Sequence, residues 1–416
     1  MLSPFPFVLA TVSSRIQYDR HISTASTFSQ LFIARSRKVC SYVKETVGVD
    51  GTTSSQKYWT YEKFLTECEK ALGIGAMTED RRSNRVDFAR FKAEFVRSDL
   101  KMDPLIVWTQ IRSFIKGSIQ SVTEGRPLTR DEYLGLGEKQ NRLPSDLRQM
   151  AYDIFESYNS FMKEKGLWDD TDRVSSIVVE LFKKGDVRHE LKHSRLYVDE
   201  VQDFTQAEVA MFFQCCDAGS LFLAGDPAQA VEEGVDFRFE DIRMVAHKLF
   251  QDRRNIPEKP KLLKVNFRSH TGVLNLATGI LDIMFKAFPG SAKELPKDEG
   301  LFRGPRPALF RQLNDDGLRK LIEKQEGAVI LTMNKSTVSK LQKKFGEETT
   351  ILSIRDSKGL EFDHGKCFDR MFASVTNCTH FIAVSHLGRL FLRPVGKAST
   401  VLEGNDQDRG SQRART

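Results

Sequence analysis

One stretch constrains this chain more than any other: the apolar run Arg195-Leu196-Tyr197-Val198 ends on Asp199-Glu200-Val201-Gln202-Asp203. A second apolar run, Ser220-Leu221-Phe222-Leu223-Ala224, follows a segment whose Val209, Phe212, Phe213 and Cys216 fall at helical spacing. Strand, helix and strand in succession predict a β-α-β unit, hence parallel strands. Ligands of open parallel sheets bind at the C-terminal strand ends, where this chain places two adjacent carboxylates. One can hold Mg²⁺ through a hard oxygen while the other polarises or deprotonates an attacking water. A solvated acidic turn is the alternative, and the full Asp-Glu-x-Gln-Asp string behind an apolar strand weighs against it. The neighbouring run closes on Gly225-Asp226-Pro227-Ala228-Gln229, where a glutamine amide is able to report a terminal phosphate by hydrogen bonding.

The same grammar recurs on both sides. Leu31-Phe32-Ile33-Ala34 reads as a strand, Arg35-Ser36-Arg37-Lys38 as a basic turn, and the residues through Val47 as an amphipathic helix. From about 82 to 165 the period becomes helical, as at Ala151, Ile154, Phe155, Tyr158 and Met162, with no convincing strands, so a helical insertion is expected. Ile256-Pro257-Glu258-Lys259-Pro260 reads as a linker, and strands return at Ala328-Val329-Ile330-Leu331 and Thr350-Ile351-Leu352. The expected division is an unassigned segment over 1–30, a first α/β lobe over 31–254, a shortened second lobe over 255–400, and a disordered polar tail over 401–416.

With 416 residues and 40% hydrophobic content the chain can bury sizeable cores, and no run of eighteen apolar residues exists to span a membrane. No membrane is therefore expected among its partners. Sixty-three Lys and Arg against fifty-six Asp and Glu give a formal charge of +7, which suits a polyanionic partner and equally an ordinary basic enzyme. Six cysteines show no C-x-x-C pair and no Cys/His ligand spacing, which argues against a zinc site and a disulfide framework. The first forty residues hold one acid, Asp19, among Arg15, Arg20, Arg35, Arg37 and Lys38, loosely the composition of a mitochondrial transit peptide. The strand at Phe32–Ala34 speaks for the alternative, an unrelated or truncated N-terminus.

Taken together, these strings resemble motifs II to VI of UvrD/Rep-type superfamily 1 helicases, and more narrowly the helicase-like portion of large tetratricopeptide- and ankyrin-repeat proteins. The likeness runs from about Leu31 to Val384. It implies two RecA-like parallel-sheet lobes of P-loop NTPase type, the first truncated, that close on ATP and Mg²⁺. On that resemblance Asp199 is the Mg²⁺ carboxylate, Glu200 the catalytic base, and Gln229 the residue coupling nucleotide state to DNA contacts. Asn266-Phe267-Arg268-Ser269-His270 is similar to motif IV, implying Phe267 against the adenine and Arg268 on the γ-phosphate; stacking faces and guanidinium forks suit those tasks. Thr350 to Asp363 resembles motif V, with Gly359 allowing backbone approach near phosphate and Glu361 meeting the ribose.

Phe32 to Ser36 looks like motif Ia and Tyr58 to Phe64 like motif Ib, which implies single-strand contacts at Arg35, Ser36, Trp59, Thr60 and Tyr61. Interleaved aromatics and cations suit bases and phosphates, although such aromatics unaided more often belong to a core. Single-stranded DNA is the expected partner, with RNA the alternative, and the substrate class points to nucleus or cytoplasm.

Two departures stand out. The family's motif I, G-x-x-x-x-G-K-[ST], is missing, since Gly365-Lys366-Cys367 and Gly396-Lys397-Ala398 are the only Gly-Lys pairs and lack the hydroxyl and upstream frame. In Phe372 to His380, similar to motif VI, Asn377 takes the place of an arginine worth about three to five orders of magnitude in phosphoryl-transfer rate. The expectation is a helicase-type ATPase deficient in hydrolysis as written. Its alternatives are a catalytically inactive nucleic-acid-binding or scaffold module on the same fold, and a piece of a larger active motor with further domains.

Overall fold

The computed structural model describes residues 16, 28–47, 56–75, 78–96, 98, 100–184, 191–250, 256–257, 259–266, 269–288, 297–304, 319–320, 328–332, 335–358, 364–369 and 380–381. The chain divides into two compact units, Thr11–Lys261 and a unit built from Leu262 onward together with Met1–Ala10. Phe267, Arg268, Gly359, Glu361, Asn377 and the 401–416 tail lie outside the described residues.

In the first unit, β1 (Gln30–Ala34) and β2 (Gln56–Thr60) pair in parallel, β1 pairs in parallel with β5 (Arg195–Val198), and β5 with β6 (Leu221–Leu223). The sheet order is β2-β1-β5-β6. Central strands of a parallel sheet are covered on both faces and read as unbroken apolar runs. Accordingly β1 is buried along its whole length and Leu196, Tyr197 and Val198 are fully buried, whereas β6 is half-buried throughout. The connections are helical: α1 (Arg37–Val47) leads from β1 to β2, α2 (Tyr61–Leu72) leaves β2, and Gln206–Gln214 joins β5 to β6. Leu31, Ile33, Phe64, Val198, Phe204 and Phe212 belong to one core beneath this sheet.

Between Ser83 and Lys165 the chain is mostly helical and owns a separate core of Phe91, Trp108, Ile111, Tyr133 and Tyr158. Two of its turns, Phe91–Phe95 and Gln110–Ile115, are π-helical. The expectation of no strands here needs correction: β3 (Arg85–Val86) pairs in parallel with β4 (Trp168–Asp169) at the base of the insertion. Two-residue strands are too short to carry a period.

The second unit holds a sheet in the order β10-β9-β11-β12, with β9 (Ala328–Thr332) parallel to β10 (Thr350–Ser353) and to β11 (His364–Asp369). The last strand, β12 (His380–Phe381), is antiparallel to β11. A short parallel pair, β7 (Val265–Asn266) with β8 (Glu299–Gly300), accompanies the helix Thr271–Ala287, whose N-terminus His270 caps by accepting from Val273 N. The whole is a mixed α/β protein with parallel sheets and many helices. Among the described residues no helix is long and apolar enough to cross a membrane.

Candidate functional site

The sheet delivers its polar residues at the ends of β5 and β6. Asp199 is still held by the sheet, its N–H donating to Ile33 O at 3.1 Å, and it is 2% exposed. The next residue breaks direction: Glu200 adopts φ 56° and ψ 46°, the one positive-φ residue other than glycine among those described. A left-handed side-chain-bearing residue costs on the order of 1–3 kcal/mol and persists only where surrounding contacts impose it. Here Val201 N donates to Ala224 O at 2.8 Å, and Val201–Asp203 forms a single 3-10 turn.

The turn after β6 is bonded to that bend. Gln202, fully buried, donates from Nε2 to Glu200 Oε2 and accepts at Oε1 from Asp226 N at 3.0 Å. Asp226 in turn accepts from Ala228 N at 2.9 Å and from Gln229 Nε2 at 2.8 Å. Gly225 is obligatory for this closeness, because a methyl there would collide with Gln202 Oε1 and come within 3.1 Å of Val201 N. The structure thus joins Glu200 to the Gln229 turn through a chain of hydrogen bonds, with Asp199 the residue before Glu200 at the end of β5. The sequence strings contain Gln202, Asp226 and Gly225 without marking their roles, because the bond between Gln202 and Asp226 joins residues 24 positions apart.

Glu208 turns instead toward β1, while the Asp203 carboxylate accepts from Val231 N at 3.3 Å. Thr205 and Glu208 form a reciprocal capping box, with Glu208 accepting from Thr205 N at 2.6 Å. Arg35 donates to Asp203 O at 2.6 Å and to Glu208 Oε1 at 3.3 Å, its guanidinium lying 4.5 Å over the Phe204 ring and 5.0 Å over Tyr61. Glu232 sits 3.9 Å from Arg35 and 3.0 Å from Arg112, which also donates to Glu233 O at 2.7 Å. The π-helical turn of the insertion therefore grips the loop that follows Gln229.

Most of the residues expected to meet nucleic acid are occupied inside the protein. Ser36 accepts from Val39 N at 3.4 Å at the start of α1, and Thr60 caps α2 by accepting from Lys63 N at 3.2 Å. Tyr61, 6% exposed, packs edge-on to Phe204 at 4.9 Å and Phe212 at 6.2 Å. Its ring packs into the core, and burial also pushes its hydroxyl pKa well up, aided by Glu208. Trp59 differs, being half-buried between the ammonium groups of Lys57 at 5.0 Å and Lys63 at 5.4 Å, with His193 edge-on at 6.2 Å. Burial, helped by the nearby Lys57 charge, pulls His193 down to about 4. Cys40 donates to Trp59 O, and burial together with the Asp199 charge pushes its thiol up to about 11. Cys40, Cys68, Cys215 and Cys216 are buried free thiols.

Among the described residues no group of three His, Cys, Asp or Glu side chains is placed to hold a metal. One or two carboxylates at a strand end match what Mg²⁺ takes from protein when phosphates and waters complete its shell. In the second unit, Ser353 caps the turn after β10, accepting from Asp356 N at 3.1 Å, and Asn266 accepts from Ser269 N at 2.8 Å. Those bonds shape the motif V-like and motif IV-like segments up to the edge of the described residues.

Residues 52–243 match the family model of the UvrD/REP helicase N-terminal domain. The "TPR and ankyrin repeat-containing protein 1" of Homo sapiens is 36% identical over 321 residues, which cover 72% of this chain and 11% of that protein's length. The resemblance read from the sequence therefore holds at this level: residues 52–243 are similar to the UvrD/REP helicase N-terminal domain, and the chain is similar to part of a large repeat protein.

Proposed function

We propose that the chain is the helicase-like part of a UvrD-type nucleic-acid motor, retaining the metal-binding end of the nucleotide site and deficient in ATP hydrolysis. The observation that carries this is the pair Asp199-Glu200 at the C-terminal edge of a parallel sheet, with Glu200 bonded through Gln202 to the Gln229 turn. Asp199 would hold Mg²⁺ by one hard oxygen, and the ion would neutralise phosphate charge. In a complete site Glu200 would accept the proton of an attacking water, and Gln229 would respond to the terminal phosphate. The parts for Phe267, Arg268, Gly359 and Glu361 rest on the resemblance alone. So do the division into two RecA-like lobes at 31–254 and 255–400, single-stranded DNA rather than RNA as partner, and a nuclear setting.

Two features favour deficient turnover. Without a G-x-x-x-x-G-K-[ST] loop the backbone cradle for phosphates is missing from this sequence, and Asn377 is a neutral amide where charge must be neutralised. The absorption of Ser36, Thr60 and Tyr61 into caps and core favours, as a second reading, a helicase fold used as a binding or scaffold module. The test is Mg-ATP turnover with and without single-stranded DNA. Hydrolysis indistinguishable from a Glu200→Gln control is the expected result, and vigorous turnover abolished by Glu200→Gln would refute the deficiency. Fluorescence anisotropy separates motor fragment from protein scaffold: salt-sensitive oligonucleotide binding supports the first, its absence the second.

A further inference from the structure

We infer that Gln202 is a positioning residue that fixes the Glu200 carboxylate in its left-handed bend and ties it to the Asp226–Gln229 turn; the inference deepens the nucleotide-site reading given above. Its amide is used at both ends in the single sense chemistry allows: the NH₂ faces a carboxylate oxygen and the carbonyl faces a backbone N–H. Turning the amide over would set oxygen against oxygen and N–H against N–H. Gln202 is 0% exposed, so water cannot substitute for a lost partner, and Gly225 has given up its side chain to admit the Gln202 oxygen. The bend at Glu200 (φ 56°) aims the carboxylate back toward this amide.

The consequence is mechanical. Asp226 binds Gln202 with its N–H and Gln229 with its carboxylate, so a displacement of the Gln229 side chain is passed to Glu200 through three consecutive hydrogen bonds. Gln202 touches no reacting atom in this scheme. It sets where the base points.

The test uses the full chain without nucleotide, so it stands or falls independently of the nucleotide reading. The side-chain amide resonances of Gln202 are compared by NMR at one pH in the wild-type protein and in Gln229→Ala. They are expected to shift in Gln229→Ala, through Asp226; resonances that stay unmoved overturn the inference. In Gln202→Met, of similar length but without donor or acceptor, exchange of the Asp226 amide hydrogen is expected to quicken at least tenfold. Gln202→Glu keeps an acceptor for Asp226, so it should restore slow exchange. Unchanged Asp226 exchange in folded Gln202→Met also overturns the inference, and the comparison with Gln229→Ala decides the matter if either Gln202 variant fails to fold.

Discussion

The ends of β5 and β1–β2 carry equally motif-like strings, and the structure uses them in opposite ways. At β5 the polar groups of Glu200, Gln202, Asp226 and Gln229 form a chain of bonds that holds one carboxylate in a strained bend. At β1 and β2 the polar and aromatic groups are consumed in holding the fold: Ser36 and Thr60 cap helices, Arg35 neutralises Glu208, and Tyr61 fills the core. Strand-end position alone does not make a side chain available. What decides is whether the partners it meets are fold-holding groups or members of a network aimed at a further ligand.

The sharpest way to break this contrast is Tyr61→Ala. Truncating a buried aromatic should cost about 3–5 kcal/mol, read by denaturant unfolding. Loss of oligonucleotide affinity with intact stability would restore Tyr61 to a binding surface. Next comes His193, beside Trp59. Its folded pKa of about 4 lies below the ordinary 6.5, so the unfolded chain binds the proton first and stability rises with pH through the window from about 4 to 6.5. Melts across that window should show wild type losing on the order of 3 kcal/mol toward acid, a loss that His193→Gln largely removes. A pH profile unchanged by the substitution would mean that His193 is not buried against Lys57.

Arg35→Met should cost about 2 kcal/mol, because Glu208 keeps its capping-box donors while losing the guanidinium. Equal stability combined with weakened DNA binding would reverse the assignment. The smallest effect is expected at Trp59, the aromatic of this group that is only half-buried. Trp59→Leu should lower single-strand affinity about tenfold with little change in folding, in line with roughly 1–3 kcal/mol per stacked base. Unchanged affinity would extend the structural role to the entire β2 end.

The elements with long apolar or periodic signatures were legible in sequence: the strands at 31–34, 195–198, 328–331 and 350–352 and the helix through Val47 stand where their patterns put them. Legibility fails where partners are distant. Nothing local to Tyr61 announces Phe204 or Phe212, which lie far along the chain, and the bond from Gln202 to Asp226 spans 24 positions. Gly225 reads as an ordinary turn glycine until its Cβ is placed against Gln202. The π-helical turn at Gln110–Ile115, which presents Arg112 to Glu232, has no distinct hydrophobic period to betray it. Of the candidate site, the carboxylates were visible because a buried strand ending on adjacent acids is unusual. The amide that orders them was hidden in the same string.

Mn²⁺·ATP at millimolar concentration, titrated into isotope-labelled protein, tests the central assignment most directly. The account predicts paramagnetic broadening centred on Asp199, Glu200, Val201 and the Asp226–Gln229 turn, abolished by Asp199→Asn. Broadening that is absent or spread uniformly over the surface, or that survives Asp199→Asn unchanged, would contradict it.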